Sequence, residues 1–429
     1  MKTKQTAINI VTLGCSKNSV DSEVLAGELN KSELTAEHGY NNGNVVIINT
    51  CGFINDAKEE SIDTIVLYAD LKKRNKIDKL YVMGCLVERY REELSKEIKN
   101  IDGWYGVTEL SKILSDLGAE YRNSLIGERT LSTPPHYAYL KISEGCDRKC
   151  SFCAIPLIRG TQISRTIESL IDEAITLANR GVKELILIAQ DLTMYGTDIY
   201  KKRALAELLD KLAIIKGIEW IRIHYAYPSS FPLEVLDIMK KHSNICKYID
   251  IPFQHISDSI LNSMNRQHDK NETYKLIENI RKSNPKIAIR TSLIVGYPGE
   301  TDGQFNELID FVKECKFERV GVFTYSEEEN TPAANLIDNV SADEKERRME
   351  EIMNIQQNIS LQYNQKLVGQ TIKVIIDEET DGVYIGRTEF DSPEVDNSVI
   401  VQSDKKLKIG NFYNVKITNA DYFDIEGEI

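Results

Sequence analysis

The sequence predicts an α/β protein in three parts: an amino-terminal parallel α/β domain, a partial (β/α)6 barrel and a small carboxy-terminal β-barrel. Three observations predict it. Short β-branched runs alternate with helical periodicity as far as Thr130, which argues a parallel sheet covered by helices. A second β/α series opens after Pro134 and Pro135. From Leu367 the texture changes to short strands separated by polar turns, as in small all-β modules. The expected domains are residues 1–130, 132–365 and 366–429, and a chain of 429 residues is long enough for each to bury a core.

Residues 7–13, 45–49 and 79–83 read as strands because β-branched and apolar residues dominate each run. Between them, residues 19–34 and 56–71 carry apolar residues at helical spacing, with Ile62, Ile65, Val66 and Ala69 on one stripe. Residues 132–136 read as a linker. The second series places strands at 139–142, 184–189, 220–225, 248–251, 287–295 and 320–324. Helices are expected over 167–179, 204–215, 232–241, 272–283 and 305–315. Six β/α units fall short of the eight that close a barrel. A charged helix over 342–366 leads out of it, and strands at 371–376, 383–387, 399–401 and 414–417 build the last module.

The chemistry is carried by cysteine. Cys146, Cys150 and Cys153 stand in a C-x3-C-x2-C spacing directly after an expected strand. Thiolates are soft ligands, and such a cluster points to zinc or to iron and sulfide. A closed zinc site needs four ligands, and no His stands nearby as the fourth; a zinc knuckle completed by a distant ligand is the alternative. Three ligands on a four-iron cluster would leave one iron open to bind something that reacts. Phe152, just before the last cysteine, would shield such a cluster from water. Cys15, Cys51 and Cys85 each sit at the end of an expected strand beside a glycine, Gly14, Gly52 and Gly84. Glycine lets the backbone approach a bulky ligand, and ligands of parallel sheets gather at the carboxyl ends of strands. These cysteines are therefore expected to converge as a second cluster site, the alternative being three buried packing residues. Cys246 and Cys315 lack such context and read as packing residues.

Apolar content of 41% and charged content of 28% are ordinary for a soluble globular protein. No apolar run approaches the roughly 20 residues of a membrane helix, and the start MKTKQTAINIVTLGC lacks a cleavage site. A cytoplasmic protein without a membrane partner is expected, its thiols reduced and available to metal. The net charge of −13 disfavours broad attraction to nucleic acid and favours a basic partner.

Six stretches carry a resemblance: LGCSKNSVDSE (13–23), NTCGFINDAKEESIDTI (49–65), SEGCDRKCSFCAIPLIRG (143–160), AQD (189–191), RTSLIVGYPGET (290–301) and GRTEFDSPEVDN (386–397). Over its whole length the chain resembles the methylthiotransferases, radical S-adenosylmethionine (radical SAM) enzymes with an amino-terminal three-cysteine domain, a radical SAM barrel and a TRAM β-barrel. It is most similar to the branch that modifies an aspartate of protein twelve of the small ribosomal subunit. Gln190-Asp191 stands where the tRNA-modifying branch has Gln-Asn, and Ile158 where that branch tends to have threonine. Residues 366–429 hold 7 Lys/Arg and 13 Asp/Glu, a balance that suits a basic ribosomal protein better than RNA; a merely solvated surface is the plainer reading. A tRNA adenosine methylthiotransferase is the alternative function, and a metal scaffold without turnover the non-enzyme one.

The resemblance implies two [4Fe-4S] clusters and S-adenosyl-L-methionine as cofactors. At Cys146, Cys150 and Cys153 the open iron would chelate S-adenosyl-L-methionine, and reductive cleavage would give a 5′-deoxyadenosyl radical. At Cys15, Cys51 and Cys85 the second cluster would hold the sulfur that is methylated and transferred to the aspartate β-carbon. The implied partners are an electron donor and the ribosomal protein or its assembled subunit. Gly296, Gly299 and Glu300 are implied to bring backbone groups to the cofactor. Gln190, Asp191, Arg165 and Arg290 fall near strand ends and orient cofactor or substrate, or serve as salt-bridge partners. His224 and His255 also fall near strand ends and read as core histidines.

Overall fold

The computed structural model describes residues 7–32, 34–39, 43–119 and 128–429. The chain's first six residues, and residue 33 of the helix expected over 19–34, lie outside them. The amino-terminal module comprises β1 (Ala7–Thr12), α1 (Ser16–Lys31), β2 (Thr35–His38), β3 (Val45–Thr50), α2 (Asn55–Lys73), β4 (Lys79–Gly84), α3 (Cys85–Glu97), β5 (Gly103–Tyr105) and α4 (Leu110–Asp116). Its strands are parallel, in the order β2-β1-β3-β4-β5. Central β3 is buried along its length, as its unbroken Val-Val-Ile-Ile run requires of a strand covered on both faces. Ile8, Ile10 and Ile47 pack under α1 and α4, while Val11, Ile48 and Val82 pack under α2 and α3.

The second module runs through β6 (Tyr137–Lys141), the two-residue strand β7 (Ser143–Glu144), α5 (Ile155–Arg159), β8 (Ile163–Ser164), α6 (Ile167–Asn179), β9 (Glu184–Ile188), α7 (Leu205–Leu212), β10 (Trp220–Ile223) and α8 (Glu234–Lys241). It continues with β11 (Ile245–Asp250), α9 (Asp258–Ser263), α10 (Lys270–Ser283), β12 (Ala288–Val295), α11 (Asp302–Cys315), β13 (Arg319–Thr324) and α12 (Ala342–Gln365). Strands β6, β9, β10, β11, β12 and β13 pair in that order, all parallel, which is the expected open, six-unit barrel. Leu185, Leu187, Ile221 and Ile223 face the surrounding helices. By strand alternation, Trp220, Arg222, Tyr248 and Arg290 lie on the opposite, concave face.

The last module closes into a barrel of β14 (Thr371–Thr380), β15 (Val383–Arg387), β16 (Val399–Gln402), β17 (Phe412–Ala420) and β18 (Ile425–Glu428). Residues 388–397, between β15 and β16, enter the concave face of the second module. There the fully buried Arg222 donates to Glu184 (2.8 Å) and to the carbonyls of Glu389 (2.9 Å) and Thr388 (3.3 Å). Arg387 pairs with Glu184 (2.8 Å) and Asp377 (2.6 Å), Arg319 with Asp391 (2.5 Å), and Arg290 with Asp250 (3.1 Å) and Asp396 (3.3 Å).

This contact revises the simple electrostatic picture of the carboxy-terminal module. Asp377, Asp391 and Asp396 neutralise arginines of this same chain, so only part of the acidic balance faces outward; Glu378, Glu379, Asp381, Glu394, Asp404, Asp421 and Glu428 remain exposed. Five strands were not expected, among them β7 and β8 of two residues each. β2, β5 and β18 have three or four residues each, too few for a period to show. Helix α1 starts at Ser16 because Cys15 adopts the extended conformation of an N-cap. Residues 132–136 form a packed joint: Ser132 donates from its backbone N–H (2.8 Å) and its hydroxyl (2.7 Å) to buried Glu23 of α1. No helix among the described residues is long and apolar enough to cross a membrane.

Candidate active site between two cysteine triads

Each of the first three cysteines sits where the sequence places it, just past β1, β3 and β4. Gly14 turns through φ +86°, and a Cβ there would stand 2.8 Å from the Cys51 sulfur; the glycine is what lets these two loops meet. Gly84, at φ +106°, opens α3 so that Cys85 becomes its first residue. Asn18 ties the three ends together. Its amide donates to the carbonyls of Leu13 (2.9 Å) and Thr50 (3.0 Å), and its Oδ1 lies 3.7 Å from the Cys85 sulfur. Cys15 is exposed while Cys51 and Cys85 are buried. Burial pushes the Cys51 thiol up and Cys85 to about 12, and neighbouring cysteines push in the same direction: Cys15 on both, and Cys51 on Cys85. The three are thus within electrostatic reach of one another. Loading iron would have to displace the protons of the buried thiols.

The second triad lies in the loop between β7 and α5. The Cys146 N–H donates to Gly160 (3.0 Å) and the Cys153 N–H to Cys150 (3.1 Å). Burial pushes Cys146 to about 11 and Cys153 to about 12, with Cys150 adding to both. Arg266 donates to the Cys150 sulfur (3.5 Å), and the Tyr227 hydroxyl stands 3.7 Å from it. The guanidinium groups of Arg148 and Arg266 lie 3.9 and 4.2 Å from the centroid of Tyr227. Burial and Arg266 lower His268 to about 4, so it is neutral at pH 7. Arg148 Nη2, Gln190 Oε1, Arg266 Nε and His268 Nε2 are buried without a hydrogen-bond partner. Unpaired buried polar atoms are costly, and a polar ligand with an amino acid head would satisfy them.

The two triads meet through α5. Ala154 and Ile158 pack on Cys85. Arg159, 7% exposed, donates to the Cys85 sulfur (3.4 Å) and to Asn18 Oδ1 (2.6 Å), and pairs with Asp21 (2.9 Å) and Glu144 (3.0 Å). One helix thus begins after Cys153 of one triad and ends on Cys85 of the other. Among the described residues no three His, Cys, Asp or Glu side chains are gathered as a single-ion site. Sets of three cysteines offer the thiolate donors that an iron–sulfur cluster would take.

The remaining expected residues take defined places. Gln190 donates to Glu144 (2.6 Å). Asp191 accepts from the Thr193 N–H (2.8 Å) and hydroxyl (2.6 Å), and pairs with Arg148 (2.9 Å) beside Cys146. In the turn after β12, Glu300 accepts from the N–H groups of Gly296 and Tyr297, and Gly299 donates to Asn339 (2.7 Å). That turn therefore reaches the cysteine loop through a side chain: the Tyr297 hydroxyl meets Ser151 Oγ (2.9 Å) and the Ser263 carbonyl (3.1 Å). Tyr297→Phe should cost about 1 kcal/mol of stability; an unshifted urea midpoint would mean that the hydroxyl does not hold the two loops together. Phe152 packs with Ile260, Met264 and Tyr297. Arg165 pairs with Glu173 (2.5 Å), the His224 ring meets Ser392 (2.8 Å), and His255 accepts from the Ser257 N–H (3.0 Å). Cys246 is buried and Cys315 half-buried, both in apolar packing. Sequence reasoning missed Asn18, Arg148, Arg159, Tyr227 and Arg266 as individuals. The first three lay inside the recognised motifs, whereas nothing in the sequence marked Tyr227 or Arg266.

The modules match known families in the same order. Residues 7–106 match the uncharacterized protein family UPF0004, residues 140–312 the Radical SAM superfamily and residues 368–429 the TRAM domain. Among solved structures, the radical S-adenosylmethionine methyltransferase TsrM from Kitasatospora setae, with cobalamin and a [4Fe-4S] cluster bound, superposes with a TM-score of 0.55 at 13% identity. That match covers 95% of this chain and 84% of TsrM, and speaks for the fold. Curated relatives are far nearer. The ribosomal protein uS12 methylthiotransferase RimO of Flavobacterium psychrophilum is 57% identical over 426 residues, covering 99% of this chain and 98% of its own. The protein of the same name from Phocaeicola vulgatus is 52% identical over 430 residues, covering 99% and 100%. With both cysteine triads in place and this identity over essentially the whole length, the chain belongs to the ribosomal protein uS12 methylthiotransferase family of radical SAM enzymes.

Proposed function

We propose that this protein adds a methylthio group to the β-carbon of an aspartate in ribosomal protein uS12, using two [4Fe-4S] clusters and S-adenosyl-L-methionine. The observation that carries the reading is the junction at Arg159, where one five-residue helix spans from one cysteine triad to the other. Held by Cys146, Cys150 and Cys153 and by Cys15, Cys51 and Cys85, these cofactors would supply radical chemistry and sulfur transfer, which no acid or base of the chain could perform on an unactivated carbon. The chain's residues have the remaining tasks. Arg266 and Tyr227 hold the Cys150 sulfur, and Arg159 holds that of Cys85 and shields its charge. Asp191 fixes Arg148, whose free Nη2 joins the unpaired atoms of Arg266, His268 and Gln190 as the seat for the amino acid end of S-adenosyl-L-methionine. Phe152 and its apolar neighbours keep water from that side. Exposed acidic groups of the last module attract basic uS12, free or in the subunit, and a cytoplasmic electron donor supplies the reductant.

The test is anaerobic turnover of the reconstituted protein with purified uS12 and, separately, with unmodified tRNA. Mass spectrometry should find one methylthio group on a single uS12 aspartate and none on tRNA. Product in tRNA alone would overturn the substrate.

A further inference from the structure

Lys17 is buried to all but 8% of its surface, and among the described residues it has neither a hydrogen bond nor an ion pair. Its ammonium lies 3.0 Å from the centroid of the Tyr225 ring. A ring attracts a cation less strongly than a carboxylate does. Position makes the imbalance worse. Lys17 is in the first turn of α1, which holds no acidic residue, and a helix amino terminus is itself positive. Asp21, one turn along, is occupied by Lys141 and by Arg159 (2.9 Å). A positive charge two residues from Cys15, carried on a largely buried side chain, is thus left without a carboxylate.

The ring beneath it belongs to the segment that joins both triads. The Tyr225 N–H donates to Asp250 (3.1 Å), and its carbonyl accepts from Leu192 (3.2 Å), the neighbour of Asp191. Two residues on, Tyr227 reaches the Cys150 sulfur. A group paired with Lys17 would therefore stand at the carboxyl end of β10, between Cys15 on one side and the Cys150 loop on the other.

We propose that Lys17 is the counter-charge for the side-chain carboxylate of the substrate aspartate, and so determines specificity for that residue. This rests on the uS12 aspartate reading above. The carboxylate is bonded to the very carbon that receives the methylthio group, so pairing it positions the reacting carbon directly. An asparagine in that place would leave Lys17 buried and unpaired, and sites of this kind reject such analogues strongly.

The test uses the reconstituted holoenzyme and two uS12-derived peptides, one with the target aspartate and one with asparagine there. Affinity is read by fluorescence anisotropy without S-adenosyl-L-methionine, and turnover by mass spectrometry with it. Wild type should prefer the aspartate peptide. K17M should weaken aspartate-peptide binding on the order of tenfold to a hundredfold, as loss of a hydrogen bond to a charged group does, and bring the two peptides level. K17R, which keeps the charge, should retain the preference. Equal loss for both peptides would overturn the proposal, as would a K17R defect as deep as that of K17M. So would a raised KM for S-adenosyl-L-methionine with peptide affinity intact, because Lys17 would then hold the cofactor's carboxylate. Because binding is read without turnover, a wild type that binds selectively but never modifies the peptide strikes the reaction reading, while an unmoved aspartate preference strikes Lys17.

Discussion

Cys150→Ala should form no 5′-deoxyadenosine, whereas Cys15→Ala should still cleave S-adenosyl-L-methionine and yield no methylthiolated uS12. The reason is the separation of the triads. Cys150 is buried beneath Arg266 and Tyr227 in the second module, and Cys15 caps α1 in the first. On the two-cluster reading proposed above, each triad would supply three thiolates, so losing one would leave two, too few to hold a four-iron cluster firmly. Each variant should keep roughly half the iron and sulfide of wild type, since a metal site needs its full ligand set. The measurements are chromatography of the nucleoside and mass spectrometry of uS12 after the same anaerobic incubation. Identical behaviour of the two variants would refute the division of labour.

Arg222→Met should cost about 3–5 kcal/mol of stability, the usual penalty for breaking a buried pair from one side. Arg222 and Glu184 are both fully buried, and the guanidinium also holds the carbonyls of Thr388 and Glu389. Without it, residues 388–397 lose their anchor, and Asp391 and Asp396 lose the fixed geometry that sets them on Arg319 and Arg290. Urea unfolding should then show the carboxy-terminal barrel melting ahead of the rest. Arg222→Lys should recover little, because an ammonium cannot reproduce the fork that reaches three acceptors. A midpoint unchanged in Arg222→Met would mean that Arg387 alone satisfies Glu184.

Much of this was legible in the sequence because it is periodic or local. The strand β3 announces its burial by four consecutive β-branched residues, and the six β/α units by a regular alternation of periods. The grouping of the cysteines was legible because they repeat at short spacing in one loop, or stand at equivalent strand ends. Strands of three or four residues such as β2, β5 and β18 were not, since their pairing is set by the neighbouring strand. Glu300 stood in a motif, but its carboxylate closes its own turn, and the turn touches the cysteine loop through Tyr297.

The sequence by itself determined the three-module α/β architecture and the two triads. Periodicity and ligand spacing are properties of neighbours along the chain. Only the tertiary structure decided how charge is disposed. Residues 72 to 167 positions apart meet in pairs such as Arg159 with Cys85, Arg222 with Glu389 and Arg319 with Asp391. It alone shows that part of the acidic balance of the last module is used within the molecule, and that Lys17 is left unpaired between the triads. Pairing depends on which side chains share a buried volume, and composition does not contain that information.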